Sequence, residues 1–295
     1  MQSVAEISGA DFVYLNVMNR IPLNDIPASI TLNTGVSMPM LGLGVYDMHG
    51  REAEQALLDA LEIGYRLIDT AEMYHNEEEI GRAINRSAVP RSEIFLTTKL
   101  NNTEHGFEKA LKAFDKSLKT LQQDYIDLYL IHWPVKKGRK DSWAALEKLY
   151  GEGRVRAIGV ANYNEVLLKE LKQYASIAPA VNQVEFSPWL YQKELLNYCK
   201  ANQIQLQAYS PITRGMKFND SRLIELCKKY EKTPAQLVLR WHLEHGVSPI
   251  PKSSKKEKLL ENFGAQSFSL ADDDIQIMDG FNENFRICDD PADWQ

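Results

Sequence analysis

The chain has 295 residues, of which 44% are hydrophobic and 25% are charged, and its formal net charge is −6. These proportions are ordinary for a globular protein and exclude a disordered or fibrous chain. The acidic balance provides no basic face for a phosphate backbone or an anionic lipid, so we expect no nucleic acid and no membrane as partner. No stretch approaches the roughly 18 to 20 apolar residues that a membrane span requires.

The three cysteines, Cys199, Cys227 and Cys288, are odd in number and widely spaced. This usage is typical of reduced thiols and not of a disulfide framework. The short apolar run FVYLNVM near the amino terminus follows acidic residues, and no basic residue precedes it, so it matches a secretory signal poorly. We therefore expect a cytoplasmic protein.

From about residue 41 the chain repeats a short apolar strand, a polar loop and an amphipathic helix. Such alternation implies parallel strands joined by crossover helices, and eight units in one stretch favour a closed α/β barrel, a (β/α)8 TIM barrel, over an open sheet. Strands are predicted at residues 41–45, 65–69, 93–99, 125–132, 155–161, 180–186, 204–210 and 247–252. Helices are predicted at residues 51–63, 77–87, 105–121, 141–151, 164–174, 192–202, 220–230, 234–245 and 254–264.

No Pro/Gly/Ser-rich linker interrupts the repeat, so residues 30–295 are predicted to form one domain after an N-terminal extension at residues 1–29. Residues 30–42, ITLNTGVSMPMLG, indicate a β-hairpin that turns at residues 33–35 and closes the bottom of the barrel. The tail at residues 281–295 is expected to lie over the opposite rim, where its aromatic residues either contact substrate or pack on the barrel wall.

Polar side chains stand at the carboxyl ends of three successive strands. Asp69 ends YRLID, Lys99 ends EIFLTTK and His132 ends YIDLYLIH, while Tyr74 follows Asp69 in a polar turn. Chemistry in such barrels lies at this end of the strands, so the four groups are expected to converge. Asp69 would compensate a buried Lys99, and the Lys99 cation would lower the pKa of Tyr74 from its usual value of about 10. Tyr74 is then a candidate general acid.

These residues resemble the aldo-keto reductase superfamily. The segments GYRLIDTAEMYHNEEEIG, IFLTTKL, DLYLIHWP, GVANY, NQVEFSP, AYSP and IPKSS appear in the order and spacing of that family, over about residues 30–290. The short loop VKKGRK after HWP resembles the microbial branch of the family, which contains diketogluconate reductases and prostaglandin F synthase-like enzymes. The resemblance to the superfamily implies a catalytic tetrad of Asp69, Tyr74, Lys99 and His132, with Tyr74 as the proton donor.

Other nicotinamide-binding signatures are missing from the sequence. GLGVYD begins like a Rossmann fingerprint but has Asp47 where the third glycine belongs, and no tyrosine is followed by a lysine four residues later. The resemblance instead implies NADPH (NADP+) bound directly by the barrel. It implies cofactor contacts at Gly44, Val45, Asp69, Asn162, Gln183, Tyr209, Ser210, Pro211, Ile212, Lys252, Ser253, Ser254, Lys258, Glu261 and Asn262.

Two of these cofactor positions need further interpretation. Tyr209 would stack on the nicotinamide, although an aromatic residue there could equally be part of the core. Lys258 stands where the family commonly has arginine, and lysine cannot make a bidentate contact with the 2′-phosphate. NADPH is still expected, with a weaker preference over NADH. Lys255 and Lys256 in the same stretch are interpreted as a solvated helix face.

Tyr46, Trp133 and His132 resemble the family's substrate-binding residues, and the short loop VKKGRK after HWP predicts an open pocket. The expected function is the NADPH-dependent reduction of aldehydes and ketones by a monomer or a weak dimer. The alternative is a nucleotide-binding, redox-sensing module with little turnover, similar to channel β subunits. The pair of histidines in HLEH, residues 242–245, lacks the spacing of a zinc motif, so no metal is predicted.

Overall fold

The computed structural model of the chain describes residues 27–294, so residues 1–26 of the predicted N-terminal extension lie outside the described residues. Eight parallel strands form the sheet, and each strand pairs with the next one along the chain. The predicted barrel is confirmed. Its strands are β3 (Gly42–Gly44), β4 (Leu67–Asp69), β5 (Phe95–Leu100), β6 (Ile126–Ile131), β7 (Val155–Ala161), β8 (Val181–Glu185), β9 (Gln205–Tyr209) and β10 (Ser248–Pro249).

The first and last strands of the barrel meet at Gly44. Its main-chain N–H donates a hydrogen bond of 3.2 Å to the carbonyl oxygen of Pro251. A Cβ atom at this position would lie 2.9 Å from the carbonyl oxygen of Ile250, so only glycine allows the two strands to come this close. The backbone bond at Gly44 therefore depends on the lack of a side chain.

An antiparallel hairpin precedes the barrel, as predicted. Its apolar residues Leu32 and Met38 pack in one cluster with Leu67, Phe95 and Val181, which are the first residues of three barrel strands. The hairpin thus covers the amino-terminal end of the barrel interior. Its strands are β1 (Ser29–Thr31) and β2 (Ser37–Pro39), somewhat shorter than the predicted segment.

Helices follow the strands and cover the outside of the barrel. They are α1 (Gly50–Ile63), α2 (Glu77–Arg86), α3 (Phe107–Thr120), α4 (Arg139–Gly151), α5 (Glu165–Lys172), α6 (Lys193–Ala201), α7 (Ser221–Tyr230), α8 (Pro234–Glu244), α9 (Lys256–Phe263) and α10 (Asp272–Asp279). The prediction missed α10, a short helix whose first turn is three aspartates. Between residues 27 and 294 no helix is both long and apolar enough to cross a bilayer.

Residues along the barrel strands alternate between two cores. In β6, Leu128 and Leu130 belong to the cluster inside the barrel, whereas Tyr129 and Ile131 belong to the cluster between strands and helices. Successive strand residues point to opposite faces, so the residue after Ile131 is directed inward again. That residue is His132.

We predict that Gly81→Ala destabilises the protein by about 1–3 kcal/mol, because the new methyl group overpacks a tight helix contact. A Cβ atom at Gly81 in α2 would lie 2.2 Å from the main-chain oxygen of Leu121. Gly151→Ala, at the end of α4, is the matched control because a Cβ atom there has no neighbour within 4 Å. Urea denaturation of both variants tests the idea, and equal stability of Gly81→Ala and the parent would contradict it.

Candidate active site

Three neighbouring strands bring the predicted catalytic residues to one end of the barrel. Asp69 is the last residue of β4, Lys99 is the next-to-last residue of β5, and His132 directly follows β6. Tyr74 reaches them from a short 3-10 turn, Glu72–Tyr74, in the loop after β4. The four side chains lie together, as the order of the strands led us to expect.

Lys99 is completely buried, and its amine has three oxygen partners. Lys99 Nζ lies 2.5 Å from Asp69 Oδ1, 3.0 Å from the Thr70 carbonyl oxygen and 3.2 Å from the Tyr74 hydroxyl. Burial by itself lowers the pKa of Lys99, but Asp69 and Tyr74 together raise it above its ordinary value. The amine is therefore charged and points at the phenol.

The pKa of Tyr74 departs from the prediction. Burial raises it above the ordinary value for a phenol, and the Asp69 carboxylate raises it further, while Lys99 lowers it by less than this sum. The predicted downward shift is therefore wrong. The sequence indicated the cation beside the ring but not how far the hydroxyl is removed from water, which favours the neutral form. Tyr74 holds its proton throughout the neutral range.

His132 is nearly buried, and its ring meets the Tyr74 ring edge to face with 5.6 Å between centroids. Burial first, and then the charge of Lys99, lowers the pKa of His132 well below the ordinary value for histidine. Its Nδ1 atom is buried without a hydrogen-bond partner among residues 27–294. A neutral imidazole carries one N–H donor, so His132 can donate a hydrogen bond without carrying charge.

Side-chain amides from the next strands extend this polar cluster. Gln183 Nε2 donates to Asp69 Oδ2 and to Gln207 Oε1, both at 2.6 Å. Asn162 Nδ2 donates to the His132 carbonyl oxygen at 2.9 Å, and the Tyr209 hydroxyl donates to Asn162 Oδ1 at 2.8 Å. Sequence analysis missed Gln207, which is buried in β9 with its Nε2 unpaired among the described residues. Its inward position two residues before Tyr209 is the signal that could have indicated it.

These groups suit the carboxamide end of a nicotinamide. Tyr209 offers a partly exposed aromatic ring, and the unpaired Gln207 amide lies in the network that contains Gln183. The backbone of the β9–α7 loop turns sharply at this point, since Ser210 and Thr213 have left-handed φ angles of 47° and 50°. Pro211 and Thr213 are buried and Ile212 is partly buried, so the loop follows the barrel rim closely.

A set of cationic and hydroxyl side chains follows β10. Lys252 is exposed, and its Nζ donates to the Asp47 carbonyl oxygen at 3.0 Å across the gap between the first and last strands. Lys258 in α9 is exposed and pairs with Glu261 at 2.5 Å, while Asn262 is buried. Ser253 and Ser254 stand just before the amino terminus of α9, where helix amides favour anions. This donor set fits the phosphates of a dinucleotide.

Aromatic residues form a wall beside the tetrad. Tyr46 is half exposed and meets the Tyr74 ring edge to face at 5.1 Å. Trp133 stacks on Trp294 of the tail with 5.1 Å between ring centroids. Trp294 of the tail therefore packs on a residue of the predicted pocket wall.

A buried carboxylate holds the tail, and sequence analysis missed it. Glu185, the last residue of β8, accepts the main-chain N–H of Ile287 at 2.7 Å and that of Cys288 at 3.0 Å. Burial raises the pKa of Glu185, and the two N–H donors partly offset this rise. The long separation along the chain, about a hundred residues, left no local signal for this contact.

The histidines of HLEH have partners other than a metal. Both His242 ring nitrogens lie close to main-chain oxygens, those of Val238 and Phe186, and His245 Nε2 lies 2.7 Å from Asp279 Oδ1. Within residues 27–294 no group of three or more His, Cys, Asp or Glu side chains is arranged to hold a metal ion. The three cysteines are free thiols.

Comparison with known proteins places the chain in a family. The sequence profile of the Aldo/keto reductase family matches residues 40–283. Glyoxal reductase of Bacillus subtilis (strain 168) is 47% identical over 264 residues, which cover 89% of this chain and 96% of the relative. The 9,11-endoperoxide prostaglandin H2 reductase of Trypanosoma cruzi (strain CL Brener) is 46% identical over 266 residues, covering 89% and 94%.

Solved structures show the same fold. MGS-M4, an aldo-keto reductase from a Medee basin deep-sea metagenome library, has a TM-score of 0.87 at 44% identity, with 89% of this chain and 98% of that chain covered. A mutant of Gox0644 in complex with NADPH has a TM-score of 0.85 at 35% identity, covering 90% and 97%. With its barrel, its strand-end cluster and these relatives, the chain belongs to the aldo/keto reductase family.

Proposed function

We propose that the protein reduces aldehydes and ketones to alcohols with NADPH, and that Tyr74 donates the proton. One observation carries the proposal: the buried, charged Lys99 contacts the Asp69 carboxylate and the Tyr74 hydroxyl at once. A phenol paired with a charged amine beside a neutral imidazole is suited to protonating an oxygen that becomes negative. The reductase names of the relatives support the same reaction class.

The residues act on the carbonyl oxygen of the substrate. NADPH, when bound, would supply hydride to the carbonyl carbon, and negative charge would then develop on that oxygen. His132 donates a hydrogen bond to the oxygen, and Tyr74 transfers its proton to it. Lys99 stabilises the tyrosinate that remains, and Asp69 keeps Lys99 charged and in place. These interactions strengthen as charge develops, so they favour the transition state over the ground state.

The cofactor proposal rests on two groups of residues. Tyr209, Asn162 and Gln183 would hold the nicotinamide and its carboxamide, with Gly44, Val45, Ser210, Pro211 and Ile212 lining the same end. Lys252, Ser253, Ser254, Lys258, Glu261 and Asn262 would hold the phosphates and the adenine. The NADPH complex of Gox0644, a structure of the same fold, supports a nicotinamide cofactor. A 2′-phosphate adds negative charge that cationic side chains attract, which favours NADPH over NADH.

We propose that the protein accepts a broad range of small carbonyl compounds as substrates. Tyr46 and Trp133 offer aromatic surface, and apolar contacts separate close analogues by only about 1–3 kcal/mol. The Bacillus subtilis relative is a glyoxal reductase, so short dicarbonyl compounds such as glyoxal and methylglyoxal lead our set of test substrates. Nitrobenzaldehyde and diketo sugar acids complete it.

We predict that Tyr74→Phe lowers the rate of NADPH oxidation with these substrates by about 10²- to 10⁴-fold, because the proton donor is lost while the ring remains. NADPH binding, measured by fluorescence titration, should change little. Tyr174→Phe is the matched control, because Tyr174 lies between α5 and β8, before the start of a strand, and its hydroxyl has no hydrogen-bond partner among the described residues. If parent and Tyr74→Phe are equally inert and both bind NADPH tightly, the protein is a nucleotide-binding, redox-sensing module instead.

The pH dependence of reduction tests the state of Tyr74. Its raised pKa means that the phenol keeps its proton beyond the usual range, and the lowered pKa of His132 keeps the imidazole neutral. We predict a rate of reduction that is constant from about pH 6 to 9 and falls only above about pH 10, the ordinary pKa of tyrosine. Single-turnover rates across this range provide the measurement. A tenfold fall between pH 7 and 9 would show that the pKa is lowered.

Lys258 provides a test of the NADPH preference. We predict that Lys258→Gln weakens NADPH binding by about tenfold, because one charge-assisted contact to the 2′-phosphate is lost. NADH has no 2′-phosphate, so its binding should change by less than about twofold. Lys255→Gln is the matched control, since Lys255 is exposed and precedes the same helix. Calorimetric titration of both cofactors decides the matter. Equal losses for NADPH in the two variants would mean that Lys258 does not meet the 2′-phosphate.

A further inference from the structure

The loop that carries Tyr74 contains a fully buried asparagine whose polar atoms are all in use. Asn76 Nδ2 donates to the carbonyl oxygens of Val45 at 2.8 Å and Met48 at 2.9 Å. Asn76 Oδ1 accepts the hydroxyl of Thr70 at 2.7 Å. Two donors and one acceptor of one amide thus join the loop after β3 to the start of the loop after β4.

Both loops carry residues of the candidate site. Val45 and Met48 flank Tyr46 in the loop after β3, and the Val45 N–H is also bonded to the Asp69 carbonyl oxygen at 3.1 Å. Thr70 follows Asp69, and its carbonyl oxygen is a partner of Lys99 Nζ. Asn76 itself is two residues after Tyr74. The Asn76 amide therefore bonds to chain segments next to Tyr46 and Asp69, and it lies two residues after Tyr74.

The backbone around Tyr74 is a single short turn followed by a residue in a left-handed conformation. The 3-10 turn at Glu72–Tyr74 is one turn long, and His75 after it has a left-handed φ of 53°, an uncommon conformation for a residue with a side chain. The turn is closed by its own hydrogen bonds, from the Tyr74 N–H to Ala71 and from the His75 N–H to Glu72, but its position on the barrel depends on tertiary contacts. Asn76 supplies three of those contacts from the residue next to the strained position.

We infer that Asn76 is a positioning residue for proton transfer, which sets the distance between the Tyr74 hydroxyl and Lys99 and the orientation of Tyr74 against Tyr46. The expected loss of rate rests on the proposed function, whereas the expected displacement of the Tyr74 hydroxyl does not. This positioning role also gives a physical reason for an asparagine here. Aspartate has the same shape but offers no N–H to the two carbonyl oxygens, and its charge would be buried beside them.

Asn76→Asp is the principal test. Displacement of a reacting group by about 1 Å can cost on the order of 100-fold, so we expect single-turnover reduction at saturating substrate to slow by about 10- to 100-fold. KM should change less than kcat, because the aromatic wall remains. Lowering the pH should shrink the deficit relative to the parent, since protonation of the new carboxyl group restores one donor. Because the buried carboxylate also makes stability depend on pH, each rate is divided by the folded fraction measured at the same pH, and the recovery must remain after this division.

Gln205→Glu is the matched control for loss of stability. The Gln205 amide also donates to two main-chain oxygens, those of Leu206 and Gly246, each at 2.8 Å, but at the start of β9 at the opposite end of the barrel. Gln205→Glu should lower the melting temperature as Asn76→Asp does, but its single-turnover rate should equal that of the parent. Thr70→Val, which removes only the donor to Asn76 Oδ1, is a milder variant with an expected loss of about threefold to tenfold.

Crystal structures of the parent and Asn76→Asp separate this inference from the proposed function. We expect the Tyr74 hydroxyl, 3.2 Å from Lys99 Nζ in the parent, to move out of hydrogen-bond distance in the variant. An inactive parent would overturn the proposed function and leave this geometric test intact. An unmoved Tyr74 together with parent-like rates in both Asn76→Asp and Thr70→Val would overturn the inference, as would an equal kinetic loss in Gln205→Glu.

Discussion

A charged amine inside the barrel is the constraint on which the candidate site depends. Lys99 is removed from water, and an uncompensated charge there would cost several kcal/mol. Asp69 offsets this cost at 2.5 Å, and the second Asp69 oxygen is held by Gln183. The remaining donors of Lys99 are directed at Thr70 and Tyr74. Satisfying one buried cation thus determines where a carboxylate, an amide and a phenol must lie.

The barrel supplies the geometry that this cation requires. Parallel strands end at the same edge, and alternate residues point inward, so Asp69, Lys99 and His132 meet without any long loop. The same edge lowers the pKa of His132 and raises that of Tyr74, because burial there penalises the charged form of each group, and the Lys99 charge lowers the pKa of His132 further. Both residues are then neutral hydrogen-bond donors at neutral pH. A site made of a fixed cation and neutral donors is suited to an oxygen that gains negative charge only during the reaction.

Prediction from the sequence succeeded where the signal was local. The alternation of strands and helices, the hairpin before the barrel, and the polar residues that end apolar strands were all visible within a few residues of chain. The missed features are contacts between distant segments. Glu185 binds main-chain groups of the tail, Gln207 joins Gln183 from the next strand, and Asn76 ties loops that follow two different strands. Glutamate, glutamine and asparagine in a sequence give no sign that they are buried, because their usual place is the surface.

The sequence by itself determined the architecture and indicated the polar residues that would meet at one end of the barrel, because hydrophobic periodicity sets the strands and helices and three of these residues end apolar strands. Only the tertiary structure decided how those groups ionise and what holds them. The direction of the Tyr74 pKa shift depends on the balance between burial and the Lys99 charge, and both quantities arise from distances between separate segments. Trp294 on Trp133 and the Glu185 contact of the tail are likewise set by packing, for which the chain carries no local pattern.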